Sequence, residues 1–326
     1  MKRRAFITLL GGAAAAWPLV APAQQPAVPV VGVLSSQSQD SEATVLAAWR
    51  QGLSQAGYDD GRNVTFDYRY ADGQGDRLPT LAAELVRRQV RVLVANTTPP
   101  AFAAKAATAT IPVVFVTGVD PVEVGLVASF NRPGANVTGV TFLSNKLVAK
   151  RLELLAALVS GTAPIGMLAH ARNPNTATDV RDALATAASL GRTLHVETVA
   201  SASDVDPAVA ALVQQRVTAL FIAPQADFRF WRHQILALAE RHALATSFSN
   251  SDFVVAGGLM SYGPDQVDSY REAGKYTGRI LKGEKPAGLP VLVSTKFDFA
   301  INLKTAKSLG LTVPPTMLAL ATAVIE

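Results

Sequence analysis

Residues 90–141 read VRVLVANTTPPAFAAKAATATIPVVFVTGVDPVEVGLVASFNRPGANVTGVT. Two apolar β-type runs in this stretch, Val90–Ala95 and Ile111–Val116, each end in a polar turn that contains proline. A helical segment over residues 101–109 lies between them, which is the pattern of a βαβ unit in a parallel sheet. Ligands of open α/β sheets bind at the carboxyl ends of the strands, where these turns lie. Because the turns carry hydroxyls, amides and backbone N–H groups but no nucleophile with a base, the stretch favours binding over catalysis.

The same alternation of short β-branched runs and longer Ala/Leu-rich segments continues along the rest of the chain. It divides into two halves of about five strands each, without sequence repetition between them. We therefore predict the α/β class, with two doubly wound parallel-sheet lobes and a cleft between them. Less regular segments predict a short helix near 122–129, a strand over 254–260, a helix over 265–281, a strand-like run over 290–302 and a last helix over 303–309.

The backbone is expected to pass between the lobes more than once. Crossings near 141–146, 261–264 and 289–295 would form a hinge of several segments, which permits closure. The first lobe would then comprise residues 24–143 with about 264–288, and the second lobe residues 144–263 with about 289–326.

The amino terminus has the pattern of an export signal over residues 1–23 that is cleaved off. Basic Lys2-Arg3-Arg4 precedes apolar Ala5–Val20, and Ala21-Pro22-Ala23 has the small residues of a cleavage site. The adjacent arginines resemble a twin-arginine signal, and the general secretory route is the alternative. A membrane anchor is disfavoured because the apolar run falls short of the ~20 residues that span a bilayer. We expect a mature protein in the periplasm that is not embedded in a membrane.

Composition narrows the possible classes of protein. Cysteine is absent, which excludes a lipid-anchored lipoprotein, a disulfide framework and a thiolate metal site. With 49% hydrophobic and 17% charged residues, the chain is able to bury two apolar cores. The formal net charge is +5, and the signal carries three of the positive charges, at Lys2, Arg3 and Arg4. The charge that remains does not indicate nucleic-acid binding, and we expect a monomer.

The polar turns after the predicted strands supply a candidate ligand site. A ligand carboxylate at these turns would meet hydroxyl donors and the amino ends of two helices. The candidate ligand-binding residues are Ser35, Ser36 and Gln37 after the first strand, Asn96, Thr97 and Thr98 after the third, Gly118 and Asp120 after the fourth, and Asn173, Gln225, Asn250 and Tyr262 in the second half. Helix capping is the alternative role for the hydroxyl, amide and Asp120 side chains, and hinge packing is the alternative for Tyr262. His170, Arg172 and Asp227 are further candidates.

Known catalytic and metal-binding patterns do not occur in the sequence. Residues 258–263 lack the spacing of a nucleophile elbow, and no P-loop, H-E-x-x-H or G-x-G-x-x-G motif is present. The four histidines are scattered, and His233 and His242 are too far apart for a one-turn helical metal pair. We therefore expect no catalytic residue, no bound metal and no cofactor.

Several short segments form a pattern when they are taken in chain order. They are Asn96–Pro100, Ile111–Phe115, Asp120–Val122, Gly125–Val127, Arg132–Val140, Ile280–Gly283, Pro286, Leu289–Pro290 and Ile301–Ala306. Together they resemble the ABC-transporter substrate-binding protein family that includes tryptophan-binding members, over nearly all of the mature chain. The resemblance implies a periplasmic binding protein of type I fold, which delivers a solute to an inner-membrane permease and its ATPase.

The predicted function is the capture of a small amino-acid-like or carboxylate solute by closure of two lobes, for an ABC importer. A periplasmic ligand-sensing module for a membrane receptor is an alternative, as is a hydrolase on the same fold. Hydroxyl-rich turns with few charges favour a zwitterion or a monocarboxylate, while sugars and small aromatic molecules also fit.

Overall fold

The structure is a computed structural model that describes residues 28–159, 161–173 and 175–326. The predicted export signal lies outside the described residues. Within the described part, no helix combines the length and the apolar character that crossing a bilayer requires.

Thirteen strands and eleven α-helices alternate along the described chain. The strands are β1 (Val30–Ser35), β2 (Thr65–Tyr70), β3 (Val92–Asn96), β4 (Val113–Thr117), β5 (Val137–Thr141), β6 (Ile165–His170), β7 (Leu194–Val199), β8 (Ala219–Ile222), β9 (Ala245–Phe248), β10 (Met260–Pro264), β11 (Leu292–Val293), β12 (Phe297–Asn302) and β13 (Ala323–Ile325). The α-helices are α1 (Gln39–Gln55), α2 (Leu78–Arg87), α3 (Thr98–Ala107), α4 (Val148–Leu158), α5 (Thr176–Ser189), α6 (Val205–Gln214), α7 (Arg232–Arg241), α8 (Ser251–Val255), α9 (Gln266–Leu281), α10 (Leu303–Ser308) and α11 (Pro315–Leu320).

The first sheet has six parallel strands in the order β11-β5-β4-β3-β1-β2. Its strands β3, β4 and β5 are buried along their whole length. Helices cover both faces of a parallel sheet, so its central strands are rich in valine rather than alternating between polar and apolar residues. We call this sheet, with α1, α2, α3 and α9, the first lobe.

The second sheet has seven strands in the order β13-β12-β10-β9-β8-β6-β7. All its pairs are parallel except β10 with β12, which is antiparallel. A large apolar cluster that includes Leu152, Met167, Phe221 and Ile301 forms its core. We call this sheet, with α4–α8, α10 and α11, the second lobe. Two sheets dominated by parallel pairs confirm the predicted α/β class.

Close packing of α1 against α9 fixes α9 on the first lobe. A Cβ atom at Gly52 would lie 1.9 Å from the carbonyl oxygen of Arg271, and one at Gly274 would lie 2.1 Å from that of Trp49. Glycine is therefore required at both positions for the two helices to approach this closely. The indole N–H of Trp49 donates to Thr277 Oγ1 at 3.2 Å, which satisfies its buried polar atom.

The chain passes between the lobes three times, between β5 and α4, between β10 and α9, and between β11 and β12. The last crossing differs from the expectation that residues from about 289 lie in the second lobe. Leu292–Val293 extends the first sheet beside β5, and the Ser294 N–H donates to Thr141 O at 2.8 Å. The strand-like run over 290–302 is therefore divided between the two sheets.

Two other local predictions are wrong. Residues 122–129 form a series of turns instead of a helix, in which Gly125 has a φ of +71°. The predicted strand over 254–260 does not start at 254, since residues 254 and 255 lie in α8, where one helical turn buries Phe253 against Phe248 with ring centroids 4.4 Å apart. The strand then begins only at Met260.

Candidate ligand-binding site between the lobes

A cavity of about 480 Å³ lies between the two lobes. Its wall includes loops at the carboxyl ends of strands in both sheets, which is where open α/β sheets bind ligands, and residues of the helices beside them. The volume is within the range of about 300–1,000 Å³ that is usual for small-molecule sites. Eight of the twelve predicted residues line it, namely Ser36, Gln37, Thr97, Thr98, Gly118, Asn173, Gln225 and Asn250.

The hydroxyl groups of Ser36, Thr97 and Thr98, which the first lobe places on the cavity wall, each bond to another hydroxyl group. Ser36 Oγ lies 2.9 Å from Thr97 Oγ1, and Thr98 Oγ1 lies 2.6 Å from Thr117 Oγ1. Thr97 precedes α3 but its side chain makes no capping hydrogen bond, so capping does not account for this hydroxyl. Its φ of +77° is unusual for a residue with a branched side chain. Strained backbone of this kind is concentrated at binding sites.

The amino end of α3 offers fewer free backbone N–H groups than the sequence indicated. Pro99 and Pro100 have no N–H, and the Ala101 N–H bonds to Thr97 O at 3.3 Å. The first turn of α3 therefore presents at most the N–H of Thr98 to a ligand. The hydroxyl groups, rather than a row of free backbone donors, carry the recognition chemistry of this turn.

Gln37 is the polar side chain of the first lobe that most clearly lacks a protein partner. It is 1% exposed, and neither its Oε1 nor its Nε2 has a hydrogen-bond partner among the described residues. A buried amide without a partner costs about 1–3 kcal/mol, so native proteins rarely leave one. Its backbone N–H is satisfied by Ser35 Oγ at 2.9 Å. Ser35 therefore supports the turn instead of lining the cavity.

Asn96 also lies behind the cavity wall, where it holds a buried carboxylate. Its Nδ2 donates to Glu42 Oε2 at 2.9 Å. Burial raises the pKa of Glu42, while hydrogen bonds from Asn96 and Ser35 and the attraction of Arg229 across the cleft oppose that rise. Glu42 itself lines the cavity, and sequence reasoning missed it because it lies within the first turn of α1.

Gly118 and Asp120 both lie in the turn after β4, but they have different roles. A Cβ atom at Gly118 would lie 2.6 Å from Ser144 Oγ and 2.8 Å from the ring of Phe142, so glycine allows these side chains to reach the cavity wall. Asp120 lies away from the cavity, where its Oδ1 accepts the N–H groups of Val122 at 2.9 Å and Glu123 at 3.2 Å. Asp120 therefore has a local structural role like the alternative that the sequence left open, except that it stabilises a turn instead of capping a helix.

The second lobe contributes amide side chains that are already partly bonded. Asn173 Nδ2 donates to Pro224 O at 3.3 Å, and Gln225 Nε2 donates to Asp227 Oδ2 at 3.2 Å. Asn250 Oδ1 accepts from Gln266 Nε2, at the amino end of α9, at 3.0 Å. These bonds orient the amides along the cavity.

His170 and Asp227 form a pair beside the cavity. His170 Nε2 lies 3.3 Å from Asp227 Oδ2, and its Nδ1 accepts the Arg172 N–H at 3.3 Å. Burial lowers the pKa of His170 although Asp227 opposes this, so the neutral ring donates from Nε2. The ring also stacks on Trp231, with centroids 5.6 Å apart. Trp231 thus packs around the histidine, and it is not among the residues of the cavity wall.

Tyr262 lies away from the cavity, close to one of the crossings between lobes. Its ring stacks on Phe297 with centroids 6.1 Å apart and meets Phe299 edge-on at 5.9 Å. Hinge packing, the alternative role, describes this arrangement.

Besides Glu42, three further parts of the wall were not predicted from the sequence. The first lobe supplies an apolar face, which includes Leu78, Pro79, Phe102, Phe142 and Tyr270. Arg229 of the second lobe donates from Nη2 to Gln266 Oε1 at 2.8 Å, next to the crossing that leads into α9. Asp179 on α5 lines the cavity with a buried carboxyl group. An aromatic residue such as Phe102 is only a weak indication of a binding site in a sequence. A polar residue inside a helix, such as Asp179, gives no indication of one.

Comparison with known proteins identifies the family. A family model described as "ABC transporter substrate binding protein" matches residues 30–325. The chain belongs to this family. It is 28% identical over 263 residues to the tyrosine-binding protein of Clostridioides difficile (strain R20291), which covers 80% of this chain and 75% of that protein.

Two solved structures are similar to this ABC transporter substrate binding protein over 91% of its length and 99% of theirs. One is the ABC domain in complex with L-Trp from Streptococcus pneumonia, at 29% identity and a TM-score of 0.84. The other is a conserved domain protein from Vibrio cholerae O1 biovar El Tor, at 28% identity and a TM-score of 0.84. The predicted family and the type I binding-protein fold are thereby confirmed.

The site of this substrate-binding protein is chemically simple. In the described ranges, no group of three or more His, Asp or Glu side chains is placed to hold a metal ion. The cavity offers hydroxyl groups, amides, carboxylates and the guanidinium groups of Arg172 and Arg229, together with one apolar face. This inventory fits a small molecule that has both polar and apolar parts.

Proposed function

We propose that this protein binds a small amino-acid-like or carboxylate solute in the periplasm, as a monomer, and presents it to the inner-membrane permease and ATPase of an ABC importer. The observation that carries the proposal is the buried Gln37 amide, which has no partner among the described residues and lies on the wall of the cavity between the lobes. A solute with hydrogen-bonding groups would satisfy this amide. Family membership supports a transporter as the partner.

The chemistry of the cavity supports a solute with a carboxylate. The hydroxyls of Ser36, Thr97 and Thr98 come from the adjacent turns after β1 and β3, and each is able to donate to an anion. The apolar face, which includes Phe102 and Tyr270, would cover an apolar side chain. A curated relative is a tyrosine-binding protein and a similar structure holds L-Trp, which favours an amino acid within this class.

Closure of the lobes would be the step that the transporter detects. Each lobe carries part of the polar wall, and three backbone segments join the lobes. A solute that bonds to both lobes binds the closed form more tightly than the open form, so it shifts the population toward closure. The permease would then distinguish loaded from empty protein by shape.

Isothermal titration calorimetry against amino acids and aromatic acids tests the proposal. The double variant Thr97→Ala, Thr98→Ala removes two donors, each contributing roughly 1.5–3 kcal/mol if bonded to a carboxylate, so affinity should fall by roughly 100-fold or more. Thr198→Ala, at an exposed position of the edge strand β7, is the matched control and should bind normally.

Unchanged affinity in the double variant would remove these hydroxyls from the site. Binding of sugars with no binding of any amino acid or carboxylate would contradict the proposed solute class. Delivery is measured separately, by stimulation of the reconstituted permease and ATPase with loaded protein.

A further inference from the structure

Asp179 is a buried acid on the cavity wall whose carboxylate oxygens are both without a protein partner. It is 1% exposed, and neither Oδ1 nor Oδ2 accepts a hydrogen bond from the described residues. Its backbone is fixed by an N–H bond to Asn175 O at 2.8 Å, at the start of α5. Buried carboxylates are almost always paired or hydrogen-bonded, because an isolated buried charge is costly.

The positive charge of Arg151 acts on Asp179 but makes no hydrogen bond with it. Arg151 on α4 is itself buried, and its Nη2 donates to Ile222 O at 2.6 Å. Its guanidinium also lies over the ring of Phe221, 4.1 Å from the centroid. Arg151 therefore attracts Asp179 through space, without a hydrogen bond to either carboxylate oxygen. Burial raises the pKa of Asp179 to about 7, against the attraction of Arg151 and with a small contribution from Asp182.

The other charged side chains on the cavity wall have partners. Glu42 accepts from Asn96, Asp227 lies beside His170, Arg172 donates to Ala200 O, and Arg229 donates to Gln266. The elements packed against α5 carry these further titratable groups: Lys150, Arg151 and Glu153 on α4, His170 on β6, and His195 and Glu197 on β7. Lys150 and Glu153 pair with each other on the surface. Asp179 is thus the acid in the described wall that is left for a ligand.

We propose that Asp179 anchors a primary ammonium group of the solute, which makes the natural ligand a zwitterionic amino acid with an apolar side chain. The inference rests on the proposed function and names the substrate class of the same site. The ammonium would meet Asp179 on the second lobe, while the carboxylate meets the hydroxyls of Ser36, Thr97 and Thr98 on the first. Because the two charged ends bond to different lobes, an amino acid would hold the lobes together, whereas a molecule with only one of these ends would not.

Calorimetry with matched ligand sets tests this assignment. The probes are L-tyrosine and L-tryptophan, their des-amino analogues 3-(4-hydroxyphenyl)propionate and indole-3-propionate, and the decarboxylated amines tyramine and tryptamine. The wild type should prefer the amino acids over both kinds of analogue. Asp179→Asn should weaken amino-acid binding by roughly 10- to 100-fold, because a charge-assisted bond is lost, and should leave the weak binding of des-amino analogues unchanged or improved. Asp182→Asn is the control, since Asp182 lies one turn along the same helix and pairs with Arg181 at 2.9 Å.

Proton release gives a second readout that needs only the wild type. With a pKa of about 7 in the empty protein, Asp179 is mostly protonated at pH 6.5 and must ionise to accept an ammonium group. Titrations in buffers of different ionisation enthalpy should therefore detect net proton release when an amino acid binds. Affinity should fall as the pH falls below 7, and Asp179→Asn should show neither effect.

The possible outcomes separate this inference from the function on which it rests. Amino-acid binding that is equally tight in Asp179→Asn would overturn the role of Asp179 while leaving solute binding intact. If the wild type prefers the des-amino analogues, the solute is not a zwitterion, but the proposed carboxylate site remains intact. Binding of sugars alone would end both proposals.

Discussion

Replacing Asp179 by asparagine should stabilise the empty protein at neutral pH, although it weakens ligand binding. The folded protein raises the pKa of this buried carboxyl from 3.8 to about 7. Between these two values the folded state holds a proton that the unfolded state has lost, so the stability of the wild type falls as the pH rises through this range. Asparagine cannot ionise and avoids this loss.

The size of the effect follows from the shift. A difference of one pKa unit between the folded and unfolded states corresponds to about 1.4 kcal/mol of stability. Most of the loss of stability that this pKa difference causes occurs between pH 4.5 and pH 8. The free energy of unfolding of Asp179→Asn, relative to the wild type, should therefore increase by about 3 kcal/mol between these two pH values. This comparison across pH cancels the constant cost of an unpaired amide in the variant.

Urea-induced unfolding followed by circular dichroism, without ligand, measures the difference at several pH values. Asp182→Asn serves as the control, because the Asp182 side chain is partly exposed and paired with Arg181. Its difference from the wild type in free energy of unfolding should not increase with pH. A difference that is constant with pH, or that grows as the pH falls, would refute the reasoning about a buried, unpaired carboxyl group.

Two further predictions concern the buried amide and the helix packing. Gln37→Met replaces an unpaired buried amide with an apolar group of similar size, so urea unfolding should find the empty variant as stable as the wild type or more stable. Calorimetry should find its affinity for the solute reduced by roughly 10-fold. An unchanged affinity would remove Gln37 from the site. Gly52→Ala forces a Cβ atom to within 1.9 Å of Arg271 O and should lower the free energy of unfolding by about 2 kcal/mol or more. Gly288→Ala, which meets no atom within 4 Å, is its control, and equal stability of the two variants would contradict the close approach of α1 and α9.

The parts of the site that follow a strand could be predicted from the sequence. Apolar runs that end in Ser36-Gln37 or Thr97-Thr98 define both the strand and the loop at its carboxyl end, and parallel strands bring these loops to one edge. The cavity wall includes these four residues, and their contact with a ligand stays a prediction. It could not separate binding from capping, which is why Asp120, with its bonds to two backbone N–H groups, remained ambiguous.

Asp179 could not be predicted, because its significance depends on tertiary packing. In the sequence it is one polar residue in a helical segment, and such residues are usually exposed. The structure buries it and leaves its oxygens unpaired, since Arg151 is engaged by Ile222 and Phe221. The division of residues 290–302 between the two sheets was hidden for the same reason, because a continuous β-type pattern does not reveal where a chain changes lobes.

A crystal structure of the protein with the tightest-binding amino acid would show how the solute is held. We expect one molecule in the cavity between the lobes, with its ammonium nitrogen within hydrogen-bonding distance of Asp179 and its carboxylate against Ser36, Thr97 or Thr98. A ligand bound to the outer surface of one lobe, or one that leaves Asp179 and Gln37 without a partner, would contradict this expectation.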